Sequence, residues 1–173
     1  MEKSLGYLKI LVLSGLFSTG SFFNILKAQN TKQDKQVAKE TAIKEMVNAQ
    51  RYVFEAQSAT TMKGRVRQLT PDYDLVIKKD TIDAYLPYFG EAYTATIGGS
   101  DEGGIKFTST DFDYKIEEGK KGGWDVTIKP KNIKDVSMMT LSISASGYGT
   151  LQVNSNTRQM ISFYGYIESV KPR

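Results

Sequence analysis

From Tyr52 onward, apolar side chains recur at every second position, and that period constrains the fold more than any other feature of the chain. Tyr52, Phe54 and Ala56 alternate with Val53, Glu55 and Gln57. Leu75 and Ile77 follow, then the turn Lys78-Lys-Asp-Thr81, then Ile82, Ala84 and Leu86; Trp124, Val126 and Ile128 mark a later strand. Alternation of this kind puts one face of a strand in a core and the other in water. Glu118-Gly-Lys-Lys-Gly-Gly123 and Asn154-Ser-Asn-Thr157 have the polar, glycine-rich or asparagine-rich chemistry of hairpin loops.

Two irregularities refine this pattern. Between Ile105 and Ile116 the apolar phase flips, with Ile105 and Phe107 at odd positions and Phe112, Tyr114 and Ile116 at even ones. A side-chain period of two requires an inserted residue or a break near Thr110-Asp111, so a bulge or bend is expected there. Met139, Leu141, Ile143, Ala145, Gly147, Gly149, Leu151 and Val153, by contrast, hold one phase. They read either as one long strand bent at its glycines or as two strands with a tight turn at Ser146-Gly-Tyr-Gly149. The expected fold is mainly β: an antiparallel up-and-down β-barrel of about seven or eight strands, with a two-sheet β-sandwich as the alternative. Phe54, Phe107, Trp124 and Phe163 are expected to point inward, and Trp124 to be a core residue.

Upstream of the strands, Thr31 to Asn48 reads as an amphipathic helix. Ala38, Ala42, Met46 and Ala49 form a shallow stripe with Ile43 and Val47 beside it, and Glu40 and Lys44 pair on the other face. Met1 to Ala28 has the plan of a secretory signal peptide: Lys3 and Lys9, an apolar run from Ile10, and a small residue at Ala28 before Gln29. Ser14, Ser18, Thr19, Gly20 and Ser21 interrupt the run, which argues against a spanning helix. The expected organisation is a signal peptide at 1–28, an N-terminal helix at 29–50 and a β-barrel domain at 51–170. The product is expected in the periplasm or secreted, with no transmembrane anchor after processing.

The segments Tyr52-Val-Phe-Glu-Ala-Gln57, Leu86-Pro-Tyr-Phe-Gly90 and Gly104-Ile-Lys-Phe-Thr-Ser-Thr110 carry a family resemblance. So do Gly122-Gly-Trp-Asp-Val-Thr-Ile128, Leu141-Ser-Ile-Ser-Ala-Ser-Gly-Tyr148 and Ile161-Ser-Phe-Tyr-Gly-Tyr-Ile167. In this order they resemble DUF4251, a domain of unknown function of exported Bacteroidota proteins. The resemblance implies a lipocalin-like barrel and brings no activity, ligand or functional residue with it.

Composition then narrows the chemistry. The chain has no cysteine and no histidine, which excludes disulfides, thiolate nucleophiles, imidazole bases and zinc sites built on nitrogen and sulfur. Losing Lys3, Lys9 and Lys27 with the signal leaves a nearly neutral product, unsuited to nucleic acid. The remaining acid–base candidates are carboxylates: Asp72 with Asp74, Asp111 with Asp113, and Asp101 with Glu102. Solvated turns account for them, so no catalytic group, metal site or cofactor is assigned. The glycines from Gly90 to Gly104 lead into a strand, so they are not a phosphate cradle.

Two clusters remain as candidate ligand-binding residues. Lys63, Arg65 and Arg67 are spaced to project from one side of an extended segment, where they would either grip an anion or keep a sheet edge soluble. Tyr85, Tyr88, Phe89 and Tyr93 border the glycine-rich loop and could wall a cavity mouth. The expected function is a non-enzymatic exported binding module holding an apolar or amphipathic small molecule inside the barrel. The alternative is a structural or protein-interaction module of the cell envelope whose barrel is filled by its own side chains.

Overall fold

The alternation that begins at Tyr52 becomes strand in a computed structural model describing residues 21–91, 103–119 and 122–170. Residues 1–37 and 38–173 are separate units. The helix α1 runs Ser21–Asn48, starting upstream of the expected Thr31 because no glycine or proline interrupts the sequence from Ser21. Its part in the second unit buries Ile43 and Val47 and half-buries Met46, while Ala38 and Ala42 are exposed. The larger side chains, and not the alanine stripe, face the core because they remove more apolar area from water. No helix among the described residues is long and apolar enough to cross a membrane.

Ten strands follow: β1 Tyr52–Thr61, β2 Val66–Gln68, β3 Asp74–Ile77, β4 Ile82–Leu86, β5 Ile105–Ser109, β6 Phe112–Glu118, β7 Trp124–Pro130, β8 Val136–Ile143, β9 Tyr148–Ser155 and β10 Ile161–Glu168. They form one antiparallel sheet in the order β5-β4-β3-β1-β10-β9-β8-β7-β6, with β2 pairing β1 beside β3. This is an up-and-down meander in which the first and last strands pair, and it curls into a nearly closed barrel. Nine strands lie along the path, slightly more than expected.

The two edges of the sheet, β5 and β6, are consecutive in the chain, and the phase flip lies in the short link between them. Ser109 is buried, and its Oγ lies 3.1 Å from the Asp111 carbonyl and 2.8 Å from Asn132 Oδ1. Thr110 and Asp111 thus turn the chain from one edge of the sheet to the other. A second phase change went unread in the sequence. At Gln57 the pairing of β1 with β10 slips, and the inward face passes from Phe54 and Ala56 to Ala59. The Met139–Val153 run is two strands joined by a turn, not one bent strand. Gly147 takes φ 86° there, and a Cβ on it would meet Ile43 Cδ1 of α1 at 2.6 Å.

Layers of inward side chains cross the sheet in register. Phe54 lies opposite Leu75 on one side and Ile167 on the other, and Leu75 opposite Ala84. Tyr52, Phe54, Phe163, Leu75, Met139, Leu141 and Leu151 are completely shielded from solvent. Trp124 is a correction. At the first position of β7 it is only partly buried, because the strand starts at the rim of the barrel. Phe107, on the edge strand β5, is also partly buried.

Candidate functional site

The connections after β1, β4, β7 and β9 converge at one end of the barrel, and the two clusters predicted as ligand-binding meet there. The hairpin between β1 and β2 closes with Gly64 N–H donating to the Thr61 carbonyl at 2.9 Å and Gly64 at φ 73°. That turn breaks the extended run, so Lys63, Arg65 and Arg67 do not share one side as the spacing predicts. All three are exposed. The Lys63 ammonium forms an ion pair with Glu91, and the Arg67 guanidinium lies 4.7 Å from the centre of the Phe89 ring. Arg65 acts on Glu91 at longer range; it and, more strongly, the Lys63 hydrogen bond hold the Glu91 carboxyl below its ordinary value. Lys63 and Arg67 are therefore occupied with the segment that follows β4.

The aromatic cluster divides. Tyr88 and Phe89 are half-buried. The Tyr88 hydroxyl lies 3.0 Å from the Glu91 carbonyl and 2.9 Å from that of Gln159, and donates to one or the other. Arg158 sits 5.1 Å above the Tyr88 ring and donates to the Gly103 carbonyl at 3.2 Å. Its other terminal nitrogen lies 3.5 Å from Asp135, which accepts from Ser155 at 2.9 Å and from Thr157. Tyr85 points outward from β4, stacked on Tyr73 with ring centres 5.5 Å apart and with Lys106 over it. Tyr85 and Tyr88 line a shallow concavity of about 370 Å³ with Pro87 and Gly104. Tyr93 lies outside the described residues, as do Gly98, Gly99, Asp101, Glu102 and the expected signal segment before Ser21.

Arg158, Gln159, Glu91 and Asp135 were not singled out in the sequence. Their importance comes from contacts between distant connections, for which no local pattern exists. The carboxylate pair Asp111 and Asp113 is bridged by Lys131, at 3.7 and 2.8 Å, and all three are exposed. Asp72 occupies a turn, as expected.

Two further concavities lie away from this end of the barrel. One, of about 440 Å³, runs over β1, β3, β4 and β10 between mixed charges including Arg51, Asp74 and Glu168. The other, of about 720 Å³, is lined by Trp124, Tyr148 and Tyr164. Chemically, the barrel end offers held cations and aromatic faces for binding, in an arrangement that also fixes the flanks of the segment between β4 and β5.

A family model for a domain of unknown function, DUF4251, matches residues 34–167. The chain belongs to the DUF4251 family. A DUF4251 family protein from Bacteroides eggerthii, known from its crystal structure, is 18% identical to it, with a TM-score of 0.59. The likeness covers 78% of this chain and 91% of that one, and at such identity it is one of fold. No curated protein matches the chain significantly. For this DUF4251 protein the family adds the barrel and leaves the function to be argued from the residues.

Proposed function

We propose that this DUF4251 protein is a non-enzymatic exported binding module whose barrel is a solid scaffold, recognising its partner from the outside. The sequence left two functions open, a binding module with a small molecule in its barrel and a structural or protein-interaction module of the cell envelope with its barrel filled. The observation that carries the choice is what occupies the interior. Tyr52, Phe54, Phe163, Met139 and Leu141 are fully shielded and belong to one continuous core. The Tyr52 hydroxyl also meets the Tyr114 hydroxyl at 2.8 Å, joining β1 to β6, the far strand of the path. Side chains in contact across a small barrel use the space that a ligand would need.

Native mass spectrometry of the protein purified from the envelope of its source tests the proposal. The expected spectrum carries no apolar small molecule and starts at or near Gln29, as export with signal removal requires. A retained fatty acid, sterol or comparable molecule would place recognition in the lumen and overturn the reading.

A further inference from the structure

The outward faces of β8, β9 and β10 differ in chemistry from the rest of the barrel surface. Ser142, Thr150 and Tyr164 stand opposite one another in one cross-strand row, and Thr140, Gln152 and Ser162 in the next. None of the six carries a charge at neutral pH, in a chain that is 24% charged. A soluble sheet face is ordinarily kept in water by Lys and Glu, and this one is kept there by hydroxyls and an amide.

Aromatic area is left exposed on the same face. Tyr148 and Tyr164 retain 46% and 49% of their surface in water. Their rings are parallel within 5°, with centres 6.1 Å apart. Lys39 reaches over Tyr148 at 5.5 Å from the ring centre, yet nearly half of that residue is still accessible. Trp124, at the start of β7 and in phase with the buried Val126 and Ile128, also lines the 720 Å³ concavity, together with Asp125, the cross-strand neighbour of Ser142. The partial exposure of Trp124, anomalous for a core residue, is what a wall of a binding surface requires.

We infer that this face binds a neutral carbohydrate, with Tyr148 and Tyr164 stacking against sugar rings and the Trp124 wall closing one side. A pyranose ring presents an apolar C–H face to an aromatic ring and a belt of hydroxyls around its edge. Aromatic surface with a few placed polar groups in a concavity of this size matches such a ligand. Serine, threonine and glutamine side chains each donate and accept, as a sugar hydroxyl does. A neutral ligand needs no compensating charge, which fits the six side chains of the two rows, and the Asp125 carboxylate beside Ser142 is an acceptor for a sugar hydroxyl. An anionic polymer would call for a basic stripe, and a protein partner, which also uses aromatic anchors, for a broader apolar patch around them than these rows of hydroxyls provide. The inference rests on the reading of a solid barrel that recognises from outside, and uses none of the barrel-end residues.

Titration calorimetry with maltohexaose, cellohexaose, xylohexaose and mannohexaose tests it on the whole purified protein. At least one should bind, with affinity unchanged from low to high salt. Tyr164→Ala should weaken binding by at least about tenfold, as loss of a stacking anchor does. Its melting temperature should stay near that of the parent, because the ring is half exposed. Trp124→Ala should weaken binding similarly, and Tyr164→Phe should retain most of it. Arg65→Ala with Arg67→Ala should leave it unchanged. Failure of all four sugars to bind overturns the inference, as does binding that survives Tyr148→Ala with Tyr164→Ala or falls steeply with salt. A dimer broken by Tyr164→Ala would assign the face to a second copy instead. Any of these results leaves the solid-barrel reading standing, whereas an apolar molecule retained in the lumen removes that reading and leaves the sugar titration as an independent fact.

Discussion

Gln50 takes φ 51° at the end of α1, a backbone conformation that a side chain makes costly. The conformation serves the helix end. Gln50 N–H donates to the Val47 carbonyl at 3.2 Å, and Arg51 N–H to the Met46 carbonyl at 3.1 Å. This pair of bonds is the Schellman closure, usually made with glycine at the left-handed position. It lets the chain reverse from α1 directly into Tyr52. Gln50→Gly should therefore raise stability by about 1 kcal/mol, measured by urea unfolding at neutral pH. A loss of stability would mean that the glutamine side chain contributes more than its backbone costs.

At the scale of elements, the contact between β1 and β10 makes the meander into a barrel. Gly165 on β10 pairs with Ala56 on β1, next to the slip at Gln57. A Cβ at Gly165 would lie 1.9 Å from the Glu55 carbonyl oxygen and 3.1 Å from Phe54 Cζ. The first of these is backbone and cannot rotate away, so the strands would have to separate. Gly165→Ala should destabilise the protein by about 3 kcal/mol or more, at the upper end for single substitutions. Amide hydrogen exchange should show β1 and β10 losing protection before β7 and β8. Equal loss across all strands would indicate that closure is not a separate step.

For the molecule as a whole, tyrosine ionisation links stability to alkaline pH. Burial holds the Tyr52 hydroxyl well above its ordinary value and pushes Tyr114 up to about 12. Tyr166 is also pushed up to about 12, chiefly by the hydrogen bond it donates to the Glu55 carboxylate. Each group keeps its proton longer folded than unfolded. The stability they contribute is complete below the unfolded value near 10 and is lost as pH rises toward about 12. Denaturation midpoints should fall across that window. Tyr52→Phe with Tyr114→Phe should flatten the decline, at some cost at neutral pH from the lost hydrogen bond. An unchanged slope would locate the alkaline sensitivity elsewhere.

Strand identity was legible because it depends on a local period: Leu75, Ile77, Ile82, Ala84 and Leu86 are all buried where alternation places them. So was the corner at Thr110-Asp111, since a phase flip records a break in the chain that makes it. The slip at Gln57 was not, because the residues around it, Ala56, Ser58 and Ala59, are too small to mark an inward phase. Trp124 was misread because periodicity gives the direction of a side chain and not its distance from the rim. The outward aromatic pair was half legible. Tyr164 is out of phase with Phe163, but nothing in the sequence brings it beside Tyr148.

By itself, the sequence determined the mainly β character of this DUF4251 protein, most of its strands, its antiparallel order and the removal of thiol and imidazole chemistry, since each follows from residue type or spacing along the chain. Tertiary structure decided whether Lys63 faces a ligand or Glu91, whether the interior holds a guest or Tyr52 against Tyr114, and which strands carry an uncharged outer face. Those outcomes depend on closing loops between residues far apart in sequence, whose contacts form only when β1 and β10 bring the ends of the meander together.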